Sequence, residues 1–350
     1  MHSPTGFRSA SFSPALTLTA LLAPGLAAGH HSSTGIFDKN NYVEIEGVVT
    51  SVQWRNPHVY FTVDVVDEHG ATVEWNIESG SVSGLRQRGV TQGLVNVGDR
   101  VRMAGESSLR GRPEMFASNL LLADGREVLM RVRSDPRWPE LRTGMFEPGV
   151  DQATVERARR NAEGMFRVWS TVLGDPDSFP MYWDDEGPLT EAAARAKAEF
   201  DARSSPFLGC HPKGMPYIMI TPYPIEISTA GDDILIRFEE HDVERLIRMN
   251  ETSIPESEPH SLFGYSVGRW EDGALVVETE RVNAPYFYGD GTPQSEQIRL
   301  VERFTANDAG DRLDYALTVD DPLTFVETMG FTRYFAWNPA AQVQPYDCNE

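Results

Sequence analysis

Val59-Tyr60-Phe61-Thr62-Val63-Asp64-Val65 alternates apolar and polar side chains without a break. A period of two puts every apolar group on one face, so the segment reads as a half-buried β-strand. Upstream, Val43, Ile45 and the step Gly47-Val48-Val49 repeat the pattern; downstream, Val73, Trp75 and Ile77 do the same. Val82 to Arg88 then reads as a short helix, Gly98-Asp99 as a turn into a strand from Arg100 to Ala104, and Phe116 to Leu122 as a last strand. Three strands, a helix and two strands is the order of a small OB-like barrel of five strands, here over residues 30–130. Element order alone admits other five-stranded barrels as well.

Beyond this region the strand signal fades. Residues 131–205 read as a connector with two helices: one opens at Asp151, whose side chain caps it, and one runs from Thr190 to Ala202 behind Pro188. Alternation returns over 206–350. About eight strands follow one another there, from Ile225 to Trp337, separated by turn pairs such as Gly231-Asp232 and Asp272-Gly273. Successive hairpins of this number close into an antiparallel, lipocalin-like barrel, which removes exposed edges and leaves room for one small ligand. The fold class is therefore mainly β, with two barrels and a helical joint.

The first 28 residues carry Arg8, an apolar run from Ala15 to Ala28 and the small residues Ala27, Ala28 and Gly29. That order is the order of a secretory signal peptide, and the run is too short to span a bilayer. A periplasmic or secreted protein with no membrane anchor after cleavage is expected. The two cysteines, Cys210 and Cys348, are most simply read as one disulfide in such an oxidising compartment, the alternative being two buried thiols. Closing so long a loop contributes roughly 4 to 5 kcal/mol in the chain-entropy model. A formal net charge of −21 argues against a nucleic-acid or anionic-membrane partner, because phosphate binding needs a basic face.

Residues 30–130 resemble an uncharacterised family of small secreted bacterial proteins, on the strength of His30-His31-Ser32, Asn56-Pro57-His58, Gly47-Val48-Val49 and Trp54. Residues 205–350 are similar to a second uncharacterised secreted type. The matching pieces there are Cys210, Gly214-Met215-Pro216, Gly268-Arg269-Trp270-Glu271, Gln294-Ser295-Glu296, Glu302-Arg303 and Tyr346-Asp347-Cys348. Some members of that type carry histidine where this chain has Tyr265 and Gln294. Both resemblances imply export and architecture; neither implies an activity.

Three histidines are candidate metal ligands. Cleavage after Ala28 would begin the chain Gly29-His30-His31, whose amine, two deprotonated amides and His31 ring surround Cu(II) in a plane; cleavage after Gly29 would leave the His30 amine and ring as a chelate. Planar nitrogen donors favour copper or nickel over zinc. His58, held near a strand start by Pro57, supplies a third imidazole. The opposing expectation is a pair of tail histidines and a hydrogen-bonded surface His58.

In the second half, Tyr265, Arg269, Trp270, Gln294 and Glu296 are polar or aromatic groups set among strand residues, and inward-pointing ones would line a ligand site. Glu302 and Arg303 are adjacent, so at most one of them faces inward. Cross-strand ion pairs outside the barrel are the competing expectation. Tyr286 and Tyr288 flank Phe287 in a loop that reads as a lid, a subunit contact or plain packing, and His211 and His260 read as structural. No Gly-x-Ser-x-Gly, phosphate-binding glycine loop, His-Glu-x-x-His or Cys-x-x-Cys occurs. The leading expectation is an exported protein that binds a small apolar or aromatic molecule in the second barrel, with a copper site as a secondary expectation. The rivals are a periplasmic lyase, isomerase or hydrolase using Tyr265, Arg269 and Glu296, and a structural envelope protein.

Overall fold

The computed structural model describes residues 36–131, 134–147, 149, 151–179, 187–201 and 205–348. His30, His31 and the segment read as a signal peptide lie outside them.

The first sheet is built from β1 (Phe37–Gln53), β2 (Tyr60–Val66), β3 (Thr72–Glu78), β4 (Arg100–Ser108), β5 (Glu114–Leu121), β6 (Arg126–Leu129) and β7 (Gly144–Met145). β1 pairs antiparallel with both β2 and β4, and β4 with β5; β3 then meets β5 in parallel through Asn76–Glu114, Ile77–Met115 and Glu78–Phe116. That last pairing closes a five-stranded barrel in the order β1-β2-β3-β5-β4, the OB-like arrangement. Gly47 is required on β1: a Cβ there would stand 2.3 Å from the Asp64 carbonyl oxygen. Gly105 on β4 faces the same limit, 2.1 Å from the Phe116 carbonyl oxygen. The interior is apolar, with Phe61, Val63, Ile77, Met103 and Met115 all buried. Helix α1 (Val82–Arg86), capped by the Ser81 hydroxyl, pushes Val82 and Leu85 into one end.

The expected joint helices are α2 (Gln152–Asn161), capped by Asp151, and α3 (Glu191–Ala198), capped by Thr190. The connector also gives each sheet a strand that alternation did not reveal: β7 extends the first, and β8 (Val168–Trp169) belongs to the second.

β9 (Ile225–Ala230), β10 (Asp233–Phe238), β11 (Val243–Arg248), β12 (Tyr265–Glu271), β13 (Ala274–Glu280), β14 (Arg299–Ala306), β15 (Arg312–Asp320) and β16 (Met329–Ala336) follow the expected strands closely. With β8 they form a nine-stranded sheet. It curls into a barrel whose seam is closed by the two hydrogen bonds exchanged between Ser170 and Ala336, 2.9 and 2.8 Å long. One pair departs from the antiparallel expectation. β11 and β12 run parallel, because residues 249–264 form a long crossover rather than a hairpin. Among the described residues no helix is long and apolar enough to cross a membrane.

Cys210 and Cys348 are disulfide-bonded. Residues 344–348 run between the barrels. The Gln344 N–H donates to Glu239, that of Tyr346 to Asp242, and that of Asn56 to the Asp347 carbonyl, at 3.0, 2.8 and 2.7 Å.

Candidate functional site

The Asn-Pro-His turn sits where the small barrel meets the C-terminal segment 344–348. Asn56 is buried, and its Oδ1 accepts the N–H of Val82 at 3.2 Å, tying the turn to the start of α1. The Asn56–Pro57 bond is cis. His58 then presents Nδ1 to the Glu78 carboxylate in a very short contact, at the position where β3 pairs with β2 and β5. Its ring lies 5.8 Å from that of Phe116 and 6.5 Å from that of Tyr60. Burial, then the charge of Glu78, pushes the Tyr60 phenol up to about 12. An Nδ1–H given to a carboxylate fixes the ring and leaves Nε2 as the lone-pair nitrogen. Among the described residues no group of three or more His, Cys, Asp or Glu is arranged to hold a metal ion, and of the three histidines read as ligands His58 is the one that lies within them.

The large barrel has a filled middle. Arg245 on β11 reaches past β12 and β13 to Glu302 on β14, giving Nη1 to Glu302 at 3.0 Å and Nη2 to its other oxygen. On the way it bonds Ser266 at 3.0 Å and Thr279 at 2.6 Å, and the Tyr315 hydroxyl completes Glu302 at 3.0 Å. All five are buried. Glu302 is thus the inward member of the Glu302-Arg303 pair, and Arg303 lies outside, donating to the Glu271 carbonyl. One end is shut by the 3-10 turn Tyr217–Ile220, every residue of which is buried. Arg333 binds the Met219 carbonyl there at 2.8 Å, and Gln294 binds that of Met215 at 3.1 Å. The aromatic loop belongs to this shut end. Tyr288 packs 4.9 Å from Tyr217, Phe287 5.0 Å from Phe325, and Tyr286 5.1 Å from Phe200, so it is packing rather than a lid over an opening.

The opposite end is open. A depression of about 660 Å³ lies there, lined by Phe166, Thr229, Asp232, Asp233, Ile234, Met249, Asn250, Arg269 and Trp270, with Gly231 in the turn between β9 and β10. Counting by twos along each strand identifies it as the barrel mouth. Thr229 continues the inward row of Ile227, Met249 that of Ile247, and Trp270 that of Ser266. Trp270 is 49% exposed, with Phe166 edge-on at 6.5 Å. Asp233 accepts the Met249 N–H at 2.9 Å and so fixes the rim.

Tyr265, Arg269 and Glu296 do not converge. Tyr265 stands at the start of β12, its hydroxyl 2.7 Å from Glu251, a bond that holds the phenol above its usual range. Arg269 is four residues along, roughly 13 Å away on an extended strand, and faces outward between Glu271 and Glu278 at 2.6 and 2.5 Å. Glu296 is exposed, in a separate depression at the shut end with Glu280 and Arg299. Of the residues singled out in the sequence, Trp270 and Arg269 reach the mouth. Phe166, Met249, Asp232 and Asp233 were missed there, as was Glu78 beside His58. Phe166 falls in the connector, where no periodicity marked it, and Asp232 read as turn chemistry alone.

Over 110 residues the chain is 26% identical to glutamate receptor-interacting protein 2 of Xenopus laevis, an overlap covering 30% of this chain and 10% of that protein. The match therefore spans about a tenth of that relative. Residues 20–114 match the model of a family of unknown function, DUF6152, a stretch that takes in His30-His31-Ser32, the Asn56-Pro57-His58 turn and four of the five barrel strands in full.

Proposed function

We propose that this is an exported binding protein that takes a small molecule with an apolar or aromatic body at the mouth of its large barrel. The observation that carries the reading is Trp270: a large ring on the inward row, left half in solvent beside Phe166 in a concave site. Concave sites that pair aromatic or aliphatic side chains, here Trp270, Phe166, Ile234 and Met249, with converging polar groups are where small molecules bind. The Arg245–Glu302 network limits how deep a ligand can go, which favours a rim-bound molecule over one swallowed whole. The disulfide is in keeping with an oxidising compartment. N-phenyl-1-naphthylamine, a neutral probe that brightens in apolar sites, tests this: it should bind the wild type and bind Trp270→Ala about 10-fold more weakly. Equal binding by the two proteins removes the mouth as the site.

A second reading, a copper site, is favoured by His58. Glu78 orients its ring, and Phe116 is the one ring between His58 and Phe37, near the start of the described chain. The six residues from His31 to Phe37 reach roughly 20 Å when extended, enough to bring the two N-terminal histidines to His58. Cu(II) titration of mature protein with a verified N-terminus should show tight binding, lost in part in His58→Ala and almost wholly in the His30→Ala, His31→Ala variant. Unchanged affinity in both variants rules the site out.

A further inference from the structure

The charges around the mouth say more about its ligand than the rings do. Asp232 and Asp233 stand on the turn at one rim, Asn250 beside them. Only one of the Asp233 oxygens is used, by the Met249 N–H, and Asp232 has the Asn250 amide at a long 3.4 Å. The sole cation lining the depression among the described residues is Arg269, and its guanidinium is already held by Glu271 and Glu278 outside the barrel. The mouth is therefore acidic on a chain that is itself strongly acidic, with a half-exposed indole in its lining.

We infer that the mouth selects an organic cation: an ammonium carried on an apolar or aromatic body, with the charge over the Trp270 face and toward Asp232 and Asp233. Tryptophan is the best of the aromatic faces for this, since its quadrupole attracts a cation most strongly, and Phe166 supplies a second edge. A weakly hydrated, alkylated ammonium gains more than a small hard cation, which would have to lose its water. The net negative field of the chain raises the local concentration of such a ligand and lowers that of an anion. This inference rests on the mouth being the binding site and adds the sign of the ligand's charge.

Three matched compounds test it by calorimetry on the full mature chain: phenyltrimethylammonium, its neutral isostere tert-butylbenzene, and benzoate. The cation should bind about 10-fold tighter than the neutral isostere, the magnitude of a partly desolvated cation–π contact with a flanking carboxylate, and benzoate should bind weakest. Raising salt from about 0.05 to 0.5 M should erode the cation's advantage and leave the neutral compound unaffected. Asp232→Asn with Asp233→Asn should reduce the preference to near unity while tert-butylbenzene binds as before. Trp270→Leu, at an exposed position that leaves the fold intact, should weaken the cation more than the neutral compound. Equal affinity for cation and neutral compound, or a preference for benzoate, overturns the inference and leaves the mouth standing as an apolar site. Binding of none of the three overturns both.

Discussion

Across the small barrel the interior is Phe61, Val63, Ile77, Met103 and Met115, with α1 inserted from one end; across the large one Arg245 spans two strands to reach Glu302. The contrast follows from girth. A ring of five strands is narrow enough for apolar side chains to meet at the axis, whereas nine strands enclose more than aliphatic groups from the wall can fill. A long cation anchored to a carboxylate, with the Ser266 and Thr279 hydroxyls accepting from Nε and Nη2, bridges that width. Every atom of the pair is satisfied, which is the condition under which a buried ion pair is tolerated. Solid at its middle and shut at one end, the large barrel keeps its free space at the mouth. In the small barrel the candidate chemistry lies at a rim histidine, His58.

The largest effect should come from breaking the spanning pair. Glu302→Ala strands the Arg245 guanidinium in the interior and should cost about 3 to 5 kcal/mol in chemical denaturation, while Arg245→Met with Glu302→Met should cost far less. If Glu302→Ala costs under about 1 kcal/mol, water reaches the interior and the filled middle is wrong. Phe61→Ala in the small barrel should cost a similar amount through a dry cavity, with no double variant to relieve it.

Next in size is the link between the barrels. Cys348→Ser removes the disulfide and should lower stability by about 2 to 5 kcal/mol, with faster amide exchange at Asn56 and Val82 before any change at β14. Asn56→Ala leaves the Val82 N–H unmet and should cost about 1 to 3 kcal/mol, again felt first in the small barrel.

Acid should separate the barrels further. Glu127 in the small barrel is fully buried. Burial alone would raise its pKa, yet donors from the Arg137 backbone, Asn119, the Trp138 backbone and Arg142 hold it below the ordinary carboxylate value. Its folded pKa being depressed, its contribution is full above the unfolded value and is lost as pH falls through the folded one. Glu127→Gln should flatten that acid limb for the small barrel and leave the large one unchanged, as read by hydrogen exchange in each. His241, in the turn whose neighbours Glu239 and Asp242 hold the C-terminal segment 344–348, has its pKa lowered chiefly by burial, so the unfolded chain binds more protons. Stability from that loop is full above the unfolded value and declines as pH falls below it.

Both barrels were legible in the sequence for one main reason. β9, β10, β11, β14 and β15, and Phe61 to Val65 in β2, bury chiefly one face, so alternation survives in the chain; β12 and β13 bury both faces over their first four residues and stand out by β-branched and aromatic content and by the Asp272-Gly273 turn between them. β8 was hidden because two residues carry no period, and its role depends on a partner, Ala336, far along the sequence. The spanning network is half visible: adjacency limits the inward member of Glu302 and Arg303 to one at most, but nothing near Arg245 distinguishes it from a surface arginine. At the small barrel His58 was found by its motif, whereas Glu78 is brought to it only by the pairing of β2 with β3. For Arg269 and Glu296 the sequence leaves two expectations open, a group lining a ligand site or an ion pair outside the barrel; strand parity and the bonds to Glu271 and Glu278 put Arg269 outside.

The smallest stability effect should be at Trp270. Trp270→Ala should change stability by no more than about 0.5 kcal/mol, as at an exposed position, while abolishing most ligand binding. Nuclear magnetic resonance of the mature protein, following the Trp270 indole N–H and the His58 ring together, tests the division between the two regions most directly. Titration with phenyltrimethylammonium should shift Trp270 and leave His58 unmoved, and Cu(II) should broaden His58 and leave Trp270 unmoved. An ammonium titration that moves His58 and spares Trp270 would contradict the account.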